Sequence, residues 1–280
     1  MKNTEIYYFS GSGNSLYIAK EIQQRIPGSI LIPMVSLLNQ DTIKTNGETV
    51  GFVFPIHLMT FPIPVTDFFS KVDVHSADYL FAVTTLTGTP HFVEISIDNA
   101  LKKQDKQLDA YFQIVMPSAS PVSTMPVDLS DWFGGWPPKE EIVDQKNSDA
   151  QKKLDLIQKT IVSKEQNAKD DSPGFLRRSL KRLTSILMAP LSSTNMNTTM
   201  HFYVDSSCTG CGICEKVCPS QRITMVNGKP VWQETVPCYL CQGCFAYCPS
   251  QSILVEKIYE KKPGRYHHPQ VTANEIAGQT

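Results

Sequence analysis

Short apolar runs alternate with amphipathic stretches through the first half of the chain. Ile6-Tyr7-Tyr8-Phe9-Ser10 reads as a buried strand that stops at Gly11-Ser12-Gly13-Asn14. Leu16, Ala19, Ile22 and Ile26 then recur at helical spacing. Ile30–Val35, Val50–Pro55, Tyr79–Thr85 and Ala110–Met116 predict further buried strands, and Val65–Val72 and Val93–Lys103 predict helices between them. Strands that alternate with helices imply an α/β unit with a doubly wound, five-stranded, mostly parallel sheet. A helix from about Lys139 to Ala168 is expected to close it.

The pattern changes after the fifth strand. Pro117–Pro138 is rich in Pro, Ser and Trp and lacks periodicity, and connections of that length inside a compact domain are functional or disordered. Asp170-Asp171-Ser172-Pro173-Gly174 breaks the long helix. Phe175–Leu191 follows with Leu176, Leu180, Leu183 and Leu187 on one side and Arg177, Arg178, Lys181 and Arg182 on another. It reads as a linker helix packed on the protein itself, with contact to a membrane surface or an acidic partner the weaker alternative. The expected organisation is an α/β unit over residues 1–170, a linker over 171–200, a second unit over 201–261 and a polar, partly ordered tail over 262–280.

Composition fits a soluble globular chain, with 41% hydrophobic and 19% charged residues and a net charge of −1, so no global charge points to nucleic acid. The balance is uneven: residues 1–172 carry 15 Lys/Arg against 21 Asp/Glu, whereas residues 173–280 carry 11 against 6. Two units with different surfaces, in electrostatic contact, would produce this split. No signal-peptide pattern precedes the first strand, and apolar runs such as Val50–Ile56 are far too short to span a membrane. A cytoplasmic location is therefore expected.

The cysteines sharpen this picture. None occurs in the first 200 residues, and all eight fall between Cys208 and Cys248. Such clustering reads as metal ligation in a reducing compartment rather than a disulfide framework. Cys208, Cys211, Cys214 and Cys218 recur 30 positions later as Cys238, Cys241, Cys244 and Cys248, and Cys-Pro-Ser-Gln closes both copies. Each copy has the C-x2-C-x2-C-x3-C-P spacing of bacterial two-cluster ferredoxins, in which three cysteines wrap one 4Fe–4S cluster and the fourth reaches the other. The expected sets are Cys208, Cys211, Cys214 and Cys248 for one cluster, and Cys238, Cys241, Cys244 and Cys218 for the second. Gly210, Gly212 and Gly243 fit loops whose amides turn toward sulfur. A zinc ribbon would need only paired C-x2-C knuckles.

Ser10-Gly11-Ser12-Gly13-Asn14-Ser15 lies between the first strand and the first helix. Leu16 stands where G-x-G-x-x-G requires glycine, and the Gly-Lys-Ser/Thr of a P-loop is absent. Main-chain amides at a helix N-terminus, joined by hydroxyls, can hold a phosphate dianion without lysine. The loop resembles the FMN-phosphate loop of flavodoxins, T-x-T-G-N-T, with serine at its three hydroxyl positions. That resemblance implies FMN, with Ser10, Ser12, Asn14, Ser15 and the amides from Gly11 to Ser15, including that of Gly13, on the phosphate. It also implies a 2-1-3-4-5 strand order. The loops Pro55-Ile56-His57-Leu58-Met59 and Thr85-Leu86-Thr87-Gly88-Thr89 would flank the ring. Neither offers an aromatic side chain, which leaves Phe61, Phe92, Trp132 or Trp136 to supply one. Pro117–Pro138 is the candidate cover or docking surface.

The order of the two units resembles the flavodoxin–ferredoxin fusion proteins of anaerobic bacteria, over nearly the whole chain. Gly264-Arg265-Tyr266-His267-His268-Pro269 resembles the tail segment of that group and reads here as a docking strand, with His267 and His268 a surface pair. The resemblance implies an electron carrier that relays electrons between two 4Fe–4S clusters and FMN and docks on redox partner proteins. The alternative is an FMN-dependent reductase of a small molecule, with His57 as its candidate catalytic group.

Overall fold

The computed structural model describes residues 3–57, 60–88, 93–119, 137–166, 201–256 and 264–280. The chain opens with β1 (Thr4–Tyr8), α1 (Asn14–Arg25) and β2 (Ser29–Pro33), followed by β3 (Ile43–Lys44), β4 (Thr49–Pro55) and α2 (Ile63–Lys71). It continues with β5 (Val72–Asp73), β6 (Tyr79–Leu86), α3 (Val93–Leu101), β7 (Ala110–Val115) and α4 (Glu140–Ser163). The main sheet runs β2-β1-β4-β6-β7 with every pairing parallel, while β3 and β5 form a separate two-residue ladder. Counted within the sheet this is 2-1-3-4-5, the flavodoxin-like doubly wound order, with its switch point between β1 and β4.

Central strands of such a sheet are covered on both faces, which is why they read as unbroken apolar runs. All eight residues of β6 and the first six of β4 are buried. Side chains of α1 and α4 share one core with Ile6, Val53, Phe81 and Phe112. Those of α2 and α3 share the other with Tyr7, Phe52, Phe54 and Tyr111. The first strand was expected over Ile6–Ser10 but spans Thr4–Tyr8, so Ser10 belongs to the turn that follows.

The second unit is small and internally duplicated. β8 (Phe202–Val204) pairs antiparallel with β11 (Ile253–Val255), and β9 (Ile223–Val226) pairs with β10 (Lys229–Trp232). One short helix follows the start of each cysteine run, α5 (Ile213–Lys216) and α6 (Gly243–Ala246). Its own core holds Cys214, Ile223, Leu240, Phe245, Cys248, Ile253 and Val255. Val217, Ala246 and Tyr247 instead enter the α1/α4 core of the sheet, so the two units share apolar packing.

The tail departs from expectation. A polar, partly ordered segment is expected there, yet Tyr266, His268, Val271, Ile276 and Gln279 are all buried. It ends in α7 (Ala273–Ala277), which opens with a capping box between Thr272 and Glu275. His268, expected on the surface, is fully enclosed. Polarity misleads here because the buried polar groups of the tail find partners on the other units. Most of the Pro117–Pro138 segment, the Asp170–Gly174 break, the Phe175–Leu191 helix and residues Leu58, Met59, Thr89, Phe92, Trp132 and Trp136 lie outside the described residues.

Candidate functional site

Two cavities open in the second unit. Cys208, Cys211, Cys214 and Cys248 line one, and Cys218, Cys238, Cys241 and Cys244 line the other. Each therefore takes three cysteines from one run and the fourth from the other. Among the described residues no group of His, Cys, Asp or Glu side chains converges to hold a single metal ion. A cubane makes no such demand, because each thiolate faces its own iron corner. The donors fit an iron–sulfur cluster in number and in kind.

Neighbouring groups reach the sulfurs. In both copies the serine after Cys-Pro lies near its own cysteine: Ser220 Oγ is 3.6 Å from Cys218 Sγ, and Ser250 Oγ is 3.7 Å from Cys248 Sγ. Ser252 Oγ adds a contact of 3.3 Å to Cys248, and the Leu240 amide donates to Cys238 Sγ at 3.4 Å. The repeated serine thus has a local role that the duplication signalled but that its motif alone did not assign. Burial pushes the Cys214 thiol up to about 11 and raises Cys238, Cys241 and Cys244 as well. At Cys248 burial acts in the same sense, but hydrogen bonds from Ser252 and Ser250 bring it below the ordinary thiol value. A bound cation would replace the protons on such buried thiols.

The loops achieve the same backbone with different residues. Gly210 and Gly212 adopt φ of +72° and +73°, and their counterparts Leu240 and Gln242 adopt +52° and +62°. Gly243, expected in a loop, instead begins α6, where a Cβ would lie 3.3 Å from the Gly11 carbonyl oxygen.

The Ser10–Ser15 turn occupies the carboxyl end of β1 at the switch point. Gly13, at φ +96°, precedes α1, and no side chain caps the helix. The first-turn amides lack intrahelical acceptors, which makes this end suited to an anion. Two of the three hydroxyls expected on a phosphate also have protein partners. Ser10 Oγ accepts from the Gly13 amide at 3.2 Å, and Ser15 Oγ lies 2.7 Å from Thr85 Oγ1. Asn14 donates through Nδ2 to the Pro117 carbonyl at 2.9 Å, and its Oδ1 accepts from the Tyr266 hydroxyl at 3.0 Å. The main-chain amides of the turn suit a phosphate, and these side-chain bonds hold the turn in shape.

Its glycines meet a demand that the loop motif did not reveal. A Cβ on Gly11 would stand 1.9 Å from the carbonyl oxygen of Cys241, and one on Gly13 would stand 2.7 Å from the Tyr247 hydroxyl. The second unit is thus docked on the turn through the Cys241 loop. Sequence reasoning missed this contact because its partners lie far apart in the chain.

The flanking loops meet beside the turn. Pro55 pairs with Thr85, and the Ile56 amide donates to the Thr85 carbonyl at 2.8 Å. His57 and Thr60 exchange main-chain hydrogen bonds. The His57 ring lies edge-on to Phe9 at 6.5 Å, and desolvation lowers its pKa to about 4. Thr85 and Leu86 are buried, whereas Thr87 and Gly88 reach solvent. Phe61, considered as a source of an aromatic ring, is buried against Phe69 with ring centroids 5.3 Å apart, in the core that α2 shares.

The fold and cysteine arrangement define a class: a flavodoxin-like α/β unit joined to an iron–sulfur unit. Residues 207–253 match the family model for a 4Fe-4S dicluster domain. No curated protein matches the chain. Among solved structures it is similar to a presumed flavoprotein from Bacteroides uniformis, at 14% identity over 41% of this chain and 90% of that one, TM-score 0.30. It is also similar to an FMN-dependent NADH-azoreductase from Bacillus anthracis in complex with FMN, at 10% identity over 56% of this chain and 99% of that one, TM-score 0.31. No helix among the described residues is long and apolar enough to cross a membrane.

Proposed function

We infer that this chain is an electron-transfer flavo-iron–sulfur protein of the flavodoxin–ferredoxin fusion kind, with two 4Fe–4S clusters and FMN. The observation that carries this reading is the pair of four-cysteine cavities, one of them docked on the uncapped turn at the switch point of a flavodoxin-like sheet. Cys208, Cys211, Cys214 and Cys248 would hold one cluster, and Cys218, Cys238, Cys241 and Cys244 the other. The first-turn amides of α1 would hold the FMN phosphate, with Pro55–Leu58 and Thr85–Gly88 beside the ring. Each cluster passes one electron and FMN holds one or two, so the pair can join one-electron to two-electron chemistry.

The protein's own groups have limited tasks in this scheme. Thiolates ligate, serine hydroxyls and the Leu240 amide stabilise charge on sulfur, and main-chain amides bind phosphate. Cys211 is exposed, which suits its cavity to exchange with an external redox protein, while Cys241 faces the turn. Desolvation lowers the His57 pKa to about 4, which would leave the ring neutral near pH 7, able to hydrogen-bond without bringing charge. These assignments favour a carrier over a substrate-converting reductase.

Anaerobic purification with iron, sulfide and flavin quantitation tests the reading directly. About eight irons per chain and stoichiometric FMN are expected, followed by separate cluster and flavin waves in a potentiometric titration. Zinc with little iron, or iron without flavin under FMN excess, would overturn it.

A further inference from the structure

Residues 264–280 alternate between the two units as they cross the junction. Arg265 binds the second unit: its guanidinium donates to the carbonyls of Gln251 and Ile253, both at 2.9 Å, and its Cζ lies 3.8 Å from the centre of the Phe245 ring. Tyr266 then donates to Asn14 of the turn. His267 returns to the second unit and stacks on Tyr247 at 4.3 Å. His268 goes back to the first, stacking on Tyr17 at 3.9 Å while its amide donates to the Ser12 carbonyl at 2.9 Å. The Val271 carbonyl accepts from the Tyr247 hydroxyl, and Glu275 pairs with Lys20 at 2.6 Å. Gln279 closes the run by pairing with both main-chain groups of Ser10, accepting at 2.9 Å and donating at 2.8 Å.

We propose that this segment is a positioning strap, in which Tyr266, His268 and Gln279 lock the Cys218/Cys238/Cys241/Cys244 cavity onto the Ser10–Ser15 turn. A tail that only finished one unit would bury its side chains against that unit. This one grips each in turn, at the place where Gly11 touches Cys241. Ser10, Ser12 and Asn14 are all held by the tail, so the strap and the proposed phosphate site share one stretch of main chain. The consequence for electron transfer rests on the reading given above: the strapped cavity faces the flavin side, and the cavity with exposed Cys211 faces outward. The strap itself rests only on the contacts described.

The test uses the full chain with spin labels at two exposed positions, Lys152 on α4 and Val226 on β9, in the parent and in a Tyr266→Phe/Gln279→Leu variant. This double change removes the bonds to Asn14 and Ser10 but leaves every cysteine in place. The parent is expected to give one narrow distance, and the variant a loss of that narrow peak, with iron content unchanged. The fluorescence lifetime of bound FMN, set by proximity to the quenching clusters, should lengthen in step. A variant that keeps the narrow distance overturns the strap, as does one that loses iron without broadening. If the parent holds no flavin but the distance result stands, the FMN reading fails while the strap survives.

Discussion

Gly11 lies directly beneath the Cys241 carbonyl and does not adopt the left-handed region, so alanine is acceptable to its backbone but not to its neighbour. Gly11→Ala should therefore act by overpacking, lowering stability to urea by about 1–3 kcal/mol, and it should broaden the distance between the units. A wild-type denaturation midpoint would show that the junction can yield without cost. The grouping of the cysteines into two sets of four was legible one residue at a time, because a ligand motif constrains both residue type and spacing. The protein contacts of Ser10, Asn14 and Ser15 were not. A short polar side chain near a phosphate loop has the same sequence signature whether it points to a ligand or to Thr85, Pro117 and Tyr266.

At the scale of elements, apolar periodicity placed the five strands and the helices between them to within two or three residues. Buried parallel strands must be continuous apolar runs, so that pattern carries the information. The last helix was missed. α7 spans five residues, too few to display a period, and its stability comes from the Thr272–Glu275 capping box, from Ile276 in the α1/α4 core and from the Lys20–Glu275 pair. Thr272→Ala should cost about 1 kcal/mol, read as faster proteolytic cleavage near the carboxyl end. Cleavage at the parental rate would mean that Ile276 and Gln279 hold the helix without its cap.

For the whole molecule, the junction is expected to be sensitive to acid. His268 is held neutral, its pKa lowered to about 4, chiefly by burial and further by the charges of His267 and Lys20, with Glu21 opposing. Tyr17 stacks on its ring, Asn147 Oδ1 lies 3.3 Å from its Nε2, and the Gln270 amide donates to its Nδ1 at 3.3 Å. A base whose folded pKa lies below its unfolded value near 6.5 binds fewer protons when folded, so its stabilising contribution is complete above 6.5 and falls as pH drops toward 4. Strap opening should thus rise by up to roughly tenfold per pH unit in that window, followed by spin labels at Lys152 and Asn274. Replacing His268 by asparagine should flatten the response, and an unchanged slope would assign it elsewhere. Glu275, lowered to about 2 mainly by its hydrogen bond from Lys20, adds a second loss in the same direction only below about 4.5. The sequence by itself determined the two kinds of unit, their order and the crossed cysteine sets, because local periodicity and ligand spacing are written along the chain. Only the tertiary structure decided which cysteine cavity meets the glycine-rich turn and that the tail binds both units. Those facts depend on contacts between residues more than 200 positions apart, such as Ser10 with Gln279 and Gly11 with Cys241. No local pattern records such contacts.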